Sequence, residues 1–120
     1  MSYVATSPEQ YAGQVVGDGQ CVAFVRAASE APATLAWTKG ALVKGTNPAK
    51  GTAIATFDPD GTYGNHTDGT SHSAIYISQD ANGLQVWDQW TGQPVHQRTI
   101  AFRGGQGKPV NDGDAFYVIE

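Results

Sequence analysis

The sequence predicts an α+β fold in which N-terminal helices pack on an antiparallel sheet of about five strands, and three observations carry that prediction. Helical periodicity is confined to residues 7–30. From residue 52 onward the pattern changes to short runs rich in β-branched and aromatic residues, each bounded by Gly, Pro, Asn or Asp. Between two of those runs stands Asn82-Gly83, a strong hairpin signal.

The elements follow in order. Ser7, Pro8 and Gln10 have the spacing of a capping box with proline at the first helical position, which predicts a short helix ending near Gly13. In CVAFVRAASEA, Cys21, Phe24, Val25 and Ala28 fall at i, i+3, i+4 and i+7 on one helical face, with Arg26 and Glu30 off it. Asp18 or Gly19 is placed to cap that helix. Residues 34–50 read as a brief turn or helix around Trp37 and then irregular connection. Five strands are expected at TAIATF (52–57), HSAIYIS (72–78), LQVWDQW (84–90), HQRTIAF (96–102) and AFYVIE (115–120), forming a meander. The Asn-Gly turn makes the second and third of these adjacent and antiparallel. No repeat, low-complexity tract or linker divides the chain, so residues 1–120 are expected to form one domain.

Composition narrows the function classes. Charged residues are 15% of the chain and there are 15 glycines, a balance that favours turns and short strands over long exposed helices. The seven basic residues are scattered and the net charge is −4, which gives no nucleic-acid footprint. No apolar run approaches the length of a membrane span. The opening MSYVATSPEQ lacks the basic and apolar regions of a classical signal peptide, so synthesis in the cytoplasm is expected, with export by another apparatus left open. A single cysteine cannot form an intramolecular disulfide, and its thiol is free.

That cysteine lies in GDGQCVAFVRAAS. A helix start lowers a thiol pKa, because unpaired N–H groups and the macrodipole favour negative charge, so Cys21 is a candidate nucleophile. It also reads as a small apolar residue on the buried face. Of three histidines, His72 heads a strand in which His72, Ala74 and Tyr76 alternate with Ser73, Ile75 and Ile77; a rigid strand end facing a helix start can hold a general base against a thiol. His66 lies in a Gly- and Asp-rich loop, read as a mobile rim of the site, and His96 stands near a turn. Asp88, inside VWDQW on the neighbouring strand, is costly to bury without a partner, and His72 is the natural one. Gln89 competes with it as the orienting residue. Gln20 offers a side-chain amide that can join the Cys21 backbone N–H in holding an oxyanion, and equally reads as a solvated helix-start residue. No metal or cofactor is expected: DPDG (58–61) begins like a calcium loop but the twelfth position is Gly69, and no zinc-ligand spacing occurs.

The order GQC, SHSAIY and DQW resembles the NlpC/P60 and CHAP group of papain-like cysteine amidases, and GTAIATF, HSAIYI and VWDQW resemble more closely the BPSL0067 family of small bacterial proteins. The resemblance runs from Gln10 to Tyr117. It implies a papain-like core, cleavage of an amide bond in peptidoglycan stem peptides or cross-links, and the roles of nucleophile for Cys21, base for His72 and orienting residue for Asp88 or Gln89. Some members of that group are type VI secretion effectors, which implies delivery to a target-cell periplasm and an immunity protein as partner. Two other classes fit the same residues: a non-catalytic wall-binding or interaction domain, and a thiol acyltransferase or deamidase acting on proteins.

Overall fold

The computed structural model describes all residues, Met1–Glu120. One α-helix, α1 (Cys21–Ser29), packs on a six-stranded sheet made of β1 (Lys39–Leu42), β2 (Ala53–Thr56), β3 (Ser73–Gln79), β4 (Gly83–Trp90), β5 (Gln93–Ala101) and β6 (Phe116–Ile119). The spatial order is β1-β6-β2-β3-β4-β5, with every pair antiparallel. The fold class is therefore the expected α+β one, with two corrections to its elements. β1 lies in the segment read as irregular, because KGAL has too little side-chain patterning to announce a strand; it gains its hydrogen bonds from the edge of β6. The meander holds only for β2 to β5, since β6 returns from the far end of the chain and inserts between β1 and β2.

Local signals fared unevenly at the N-terminus. Pro8–Tyr11 is one turn of 3-10 helix rather than an α-helix, and Ser7 makes no side-chain cap bond. The α1 N-cap is Gln20, not Asp18 or Gly19; Asp18 Oδ1 instead accepts from the Gln20 N–H at 3.0 Å. Helix α1 is held by its apolar face. Phe24 and Val25 are fully buried, and truncating Phe24 to Ala would cost about 3–5 kcal/mol.

The sheet has an apolar layer on each face, and alternation decides which residue serves which. Phe24, Val25, Ala53, Ala55, Ile75, Val95 and Ile119 form the layer under α1. Ile54, Ala74, Tyr76, Leu84, Val86, Ile100 and Phe116 form the opposite layer, with Val43 and Phe102 over them. No helix is long and apolar enough to cross a membrane.

Candidate active site

The turn that delivers Cys21 needs glycine. Gly17 and Gly19 have φ of +58° and +86°, and a Cβ at Gly17 would lie 2.8 Å from the Ala23 Cβ. Cys21 is thereby set as the first residue of α1, where backbone N–H groups have no intrahelical acceptor. Helix α1 packs on β3 and β4, so its start meets the head of β3 and the end of β4.

At that corner adjacent residues of one strand serve opposite faces. Ile75 pairs with Trp87, and continuing this register places Asp88 diagonal to His72 on the face away from α1. His72 Nε2 bonds Asp88 Oδ2 at 2.7 Å, and both side chains are buried. Gln89 points the other way, fully buried beneath the loop before α1, where its amide donates to the Val16 and Gln20 carbonyls at 2.8 Å and accepts from the Val16 N–H at 3.0 Å. Gln89 thus ties down the approach to Cys21 and makes no bond to His72.

With Nε2 committed to Asp88, Nδ1 is the His72 nitrogen left for the thiol. Burial pushes the Cys21 thiol up, but the hydrogen bond and charge of His72, joined by Ser73, override it and bring the value down to about 7. Burial likewise disfavours the His72 imidazolium, yet Asp88 and Cys21 raise it to about 9. Asp88 is held below the ordinary carboxylate value against its own burial by His72 and Arg98.

Four more residues stand here, of which only His96 is a candidate by sequence. Arg98 Nε donates to the same Asp88 Oδ2 at 2.7 Å. His96 Nε2 lies 3.1 Å from Asp88 Oδ1, within ion-pair range but outside hydrogen-bond geometry. Counting from the turn does not give either position: Trp90 pairs with Gln93 across Thr91-Gly92, and only the bulge between Asp88 and Trp90 sets Asp88 opposite His96 and Val86 opposite Arg98, all on one face. Tyr63 OH is 3.7 Å from Cys21 Sγ, and the buried Ser73 hydroxyl adjoins the same thiol. Burial first, then Cys21, pushes the Tyr63 phenol up, so it stays a proton donor. Nothing in the aperiodic loop around Tyr63 signals that contact.

Cys21 and His72 open on a cavity of about 430 Å³ shared with Gln20, His66, Trp90 and Arg98. Its rim is the 58–71 loop, folded back by two Asp-x-Thr turns in which Asp60 and Asp68 accept from Thr62 and Thr70. No three His, Cys, Asp or Glu side chains converge as metal ligands. The sequence model of the family "Domesticated amidase effector 2" matches residues 1–119. The chain belongs to that family. It is 43% identical over 88 residues to domesticated amidase effector 2 of Ixodes scapularis, a match spanning 70% of this chain and 56% of that protein. It is 30% identical over 114 residues to a type VI secretion amidase effector 2 protein of Salmonella typhi, spanning 84% of each. Among solved structures, a type 6 secretion amidase effector 2 superimposes with a TM-score of 0.83 at 30% identity, covering 98% of this chain and 94% of that one. The papain-like architecture expected from the sequence is thus shared with an amidase effector.

Proposed function

We propose that this chain is a cysteine amidase that hydrolyses an amide bond of peptidoglycan stem peptides or their cross-links, with residues 1–120 as its catalytic domain. The observation that carries this reading is the line Cys21, His72, Asp88: a free thiol at a helix start, beside an imidazole whose far nitrogen bonds a buried carboxylate, at the floor of an open cavity. The membership in an amidase effector family agrees with it.

In this reading the Cys21 thiolate attacks the amide carbonyl, forming the C–S bond while the carbonyl electron pair moves to oxygen. The oxyanion is held by the Cys21 N–H and by the side-chain amide of Gln20, which is exposed and lines the cavity. His72, protonated at Nδ1, gives that proton to the leaving nitrogen as the C–N bond breaks. A water then attacks the thioester and yields its proton to His72, and the C–S bond breaks to release a carboxylic acid and restore the thiolate. Asp88 keeps Nε2 protonated and the ring in place. The effector names of the relatives support delivery into a target-cell periplasm, and with it an immunity protein in the producing cell.

Mass analysis of purified muropeptides after incubation tests the reaction: products gain one water and show one new amine, and Cys21→Ala and His72→Ala yield none. Expression in a Gram-negative host tests the compartment. Lysis is expected only when the chain is directed to the periplasm, and both variants should abolish it at equal protein level. A binding module would leave muropeptides intact, and a protein-modifying enzyme would harm the cytoplasm.

A further inference from the structure

We infer that Arg98 is a carboxylate-binding residue of the cavity, so that the substrate carries a free carboxylate beside the scissile amide. This deepens the amidase reading and rests on it. A guanidinium has five N–H donors. Nε donates to Asp88 and Nη2 reaches the Val110 carbonyl at 3.4 Å, which leaves three without a protein acceptor. The side chain is 20% exposed and lines the cavity, so an open edge of the fork faces the space where substrate lies. Its plane is fixed from two sides, by Asp88 and by the Trp90 ring 5.1 Å from Cζ.

The surroundings favour an anion. The chain as a whole carries −4, yet no Asp or Glu lines this cavity, and Asp88 is buried behind Arg98 and His72. Nothing competes for the free donors. A planar fork with parallel N–H groups matches a carboxylate bidentately. Distance sets which carboxylate. Arg98 and His72 bond the same Asp88 oxygen, each at 2.7 Å, so the guanidinium lies within one residue's reach of the imidazole that protonates the leaving group. Stem peptides offer such carboxylates on backbone and side chain, whereas the interior amides of ordinary proteins seldom do.

The test uses the intact protein and stem peptides in which each free carboxylate is in turn converted to a carboxamide. One such change should lower wild-type kcat/KM by about 10-fold or more. Arg98→Gln will be slower on every substrate, because it also loosens Asp88, but its ratio between acid and amide should fall below about 2-fold. Arg98→Lys should keep part of the preference and His66→Ala all of it. The idea is overturned if no amidation affects the wild type, or if the preference survives in Arg98→Gln. Should Arg98→Gln not fold, Arg98→Lys and His66→Ala decide: a preference unmoved by the first and lost in the second assigns the site to His66 instead. Binding of the same peptides to Cys21→Ala separates the two readings. If wild type cleaves nothing, the amidase reading fails, and an acid-over-amide difference in Kd still reports on Arg98; its absence removes the subsite too.

Discussion

Two of the three histidine-aspartate contacts in this molecule are hydrogen-bonded at nearly equal separation, His72 to Asp88 at 2.7 Å and His66 to Asp58 at 2.9 Å, and both of these histidines line the same cavity. Their surroundings differ. The inner pair has side chains only 7% and 0% exposed and is braced by Arg98, with the His72 ring edge-on to Trp90 and Phe116. The outer pair is 48% and 23% exposed and sits on a loop, over Gly64, where any Cβ would collide with both partners. Asp88 and Asp58 each raise their histidine, but water screens the outer charges far more than the buried ones. A short contact is therefore not enough to couple two groups; burial is what forces the inner partners to depend on each other.

Breaking the inner pair should give the largest effect. Asp88→Asn leaves the buried His72 imidazolium and the partly exposed Arg98 without their shared counter-charge, a change expected to cost about 3–5 kcal/mol, and lowers kcat by about 10³–10⁴-fold as the imidazole loses its orientation. Chemical denaturation and steady-state kinetics read the two effects separately. In the wild type, kcat/KM should rise as Cys21 ionises near 7 and fall as His72 deprotonates near 9. The upper limb should move down in Asp88→Asn, because the bond that raises His72 is weakened. Stability follows the same logic. His72 is raised from 6.5, so its contribution is whole below that pH and is lost as pH climbs through about 9; Asp88 is lowered from 3.8, so its contribution is present above that pH and is lost as pH falls through its depressed value. The wild type should exceed Asp88→Asn by most between about pH 4 and 6.5, and a gap independent of pH would show that the pair is not charged.

Gln89→Ala comes next, and it separates orientation from scaffolding within one dipeptide. Its three bonds all go to backbone of the loop before Cys21. Leaving those groups unpaired should cost about 2–4 kcal/mol in thermal or urea unfolding. Activity at a temperature where the variant is folded should fall less than in Asp88→Asn, and the position of the upper pH limb should not move. Activity loss equal to that of Asp88→Asn, with the limb displaced, would mean that Gln89 orients the imidazole.

How far the sequence reveals this depends on which faces its side chains share. The place of Cys21 at a helix start was legible from helical periodicity, and the adjacency of the strands that carry His72 and Asp88 from the Asn82-Gly83 turn, because those signals are local and geometric. Whether Asp88 or Gln89 faced His72 was not, since a shift of one residue in register reverses both, and a bulge between Tyr76 and Ser78 intervenes after the hairpin. β1 was invisible because its bonds come from a strand at the other end of the chain. Tyr63 and Ser73 reach the thiol through tertiary placement alone.

Tyr63→Phe should have a smaller effect than either. The phenol meets sulfur at 3.7 Å and is one of several donors, so its loss should raise the Cys21 pKa, read from alkylation rate against pH, and slow catalysis by no more than about 10-fold. An unchanged thiol pKa would make Tyr63 a packing residue against Trp37 and Phe57.

Breaking the outer pair should do least, which makes it the control for all the others. Asp58→Asn removes the hydrogen bond that raises His66, so the His66 titration, followed by NMR, should move down toward 6.5 while unfolding midpoint and kcat stay unchanged. An exposed pair exchanges its partner for water at little cost. His66 nonetheless lines the cavity, so a change confined to KM would show that the rim touches substrate, and the pair would then be a binding element. A fall in kcat would be a different matter. It would mean that the 58–71 loop transmits its position to His72, through the Thr56 hydroxyl that accepts from the His72 N–H and donates to the Thr70 carbonyl. Thr56→Val distinguishes these cases, because it cuts that link while leaving the outer pair intact: if the loop acts through His72, Asp58→Asn should lower kcat no further in the Thr56→Val background, and losses that add would mean that it acts by another route.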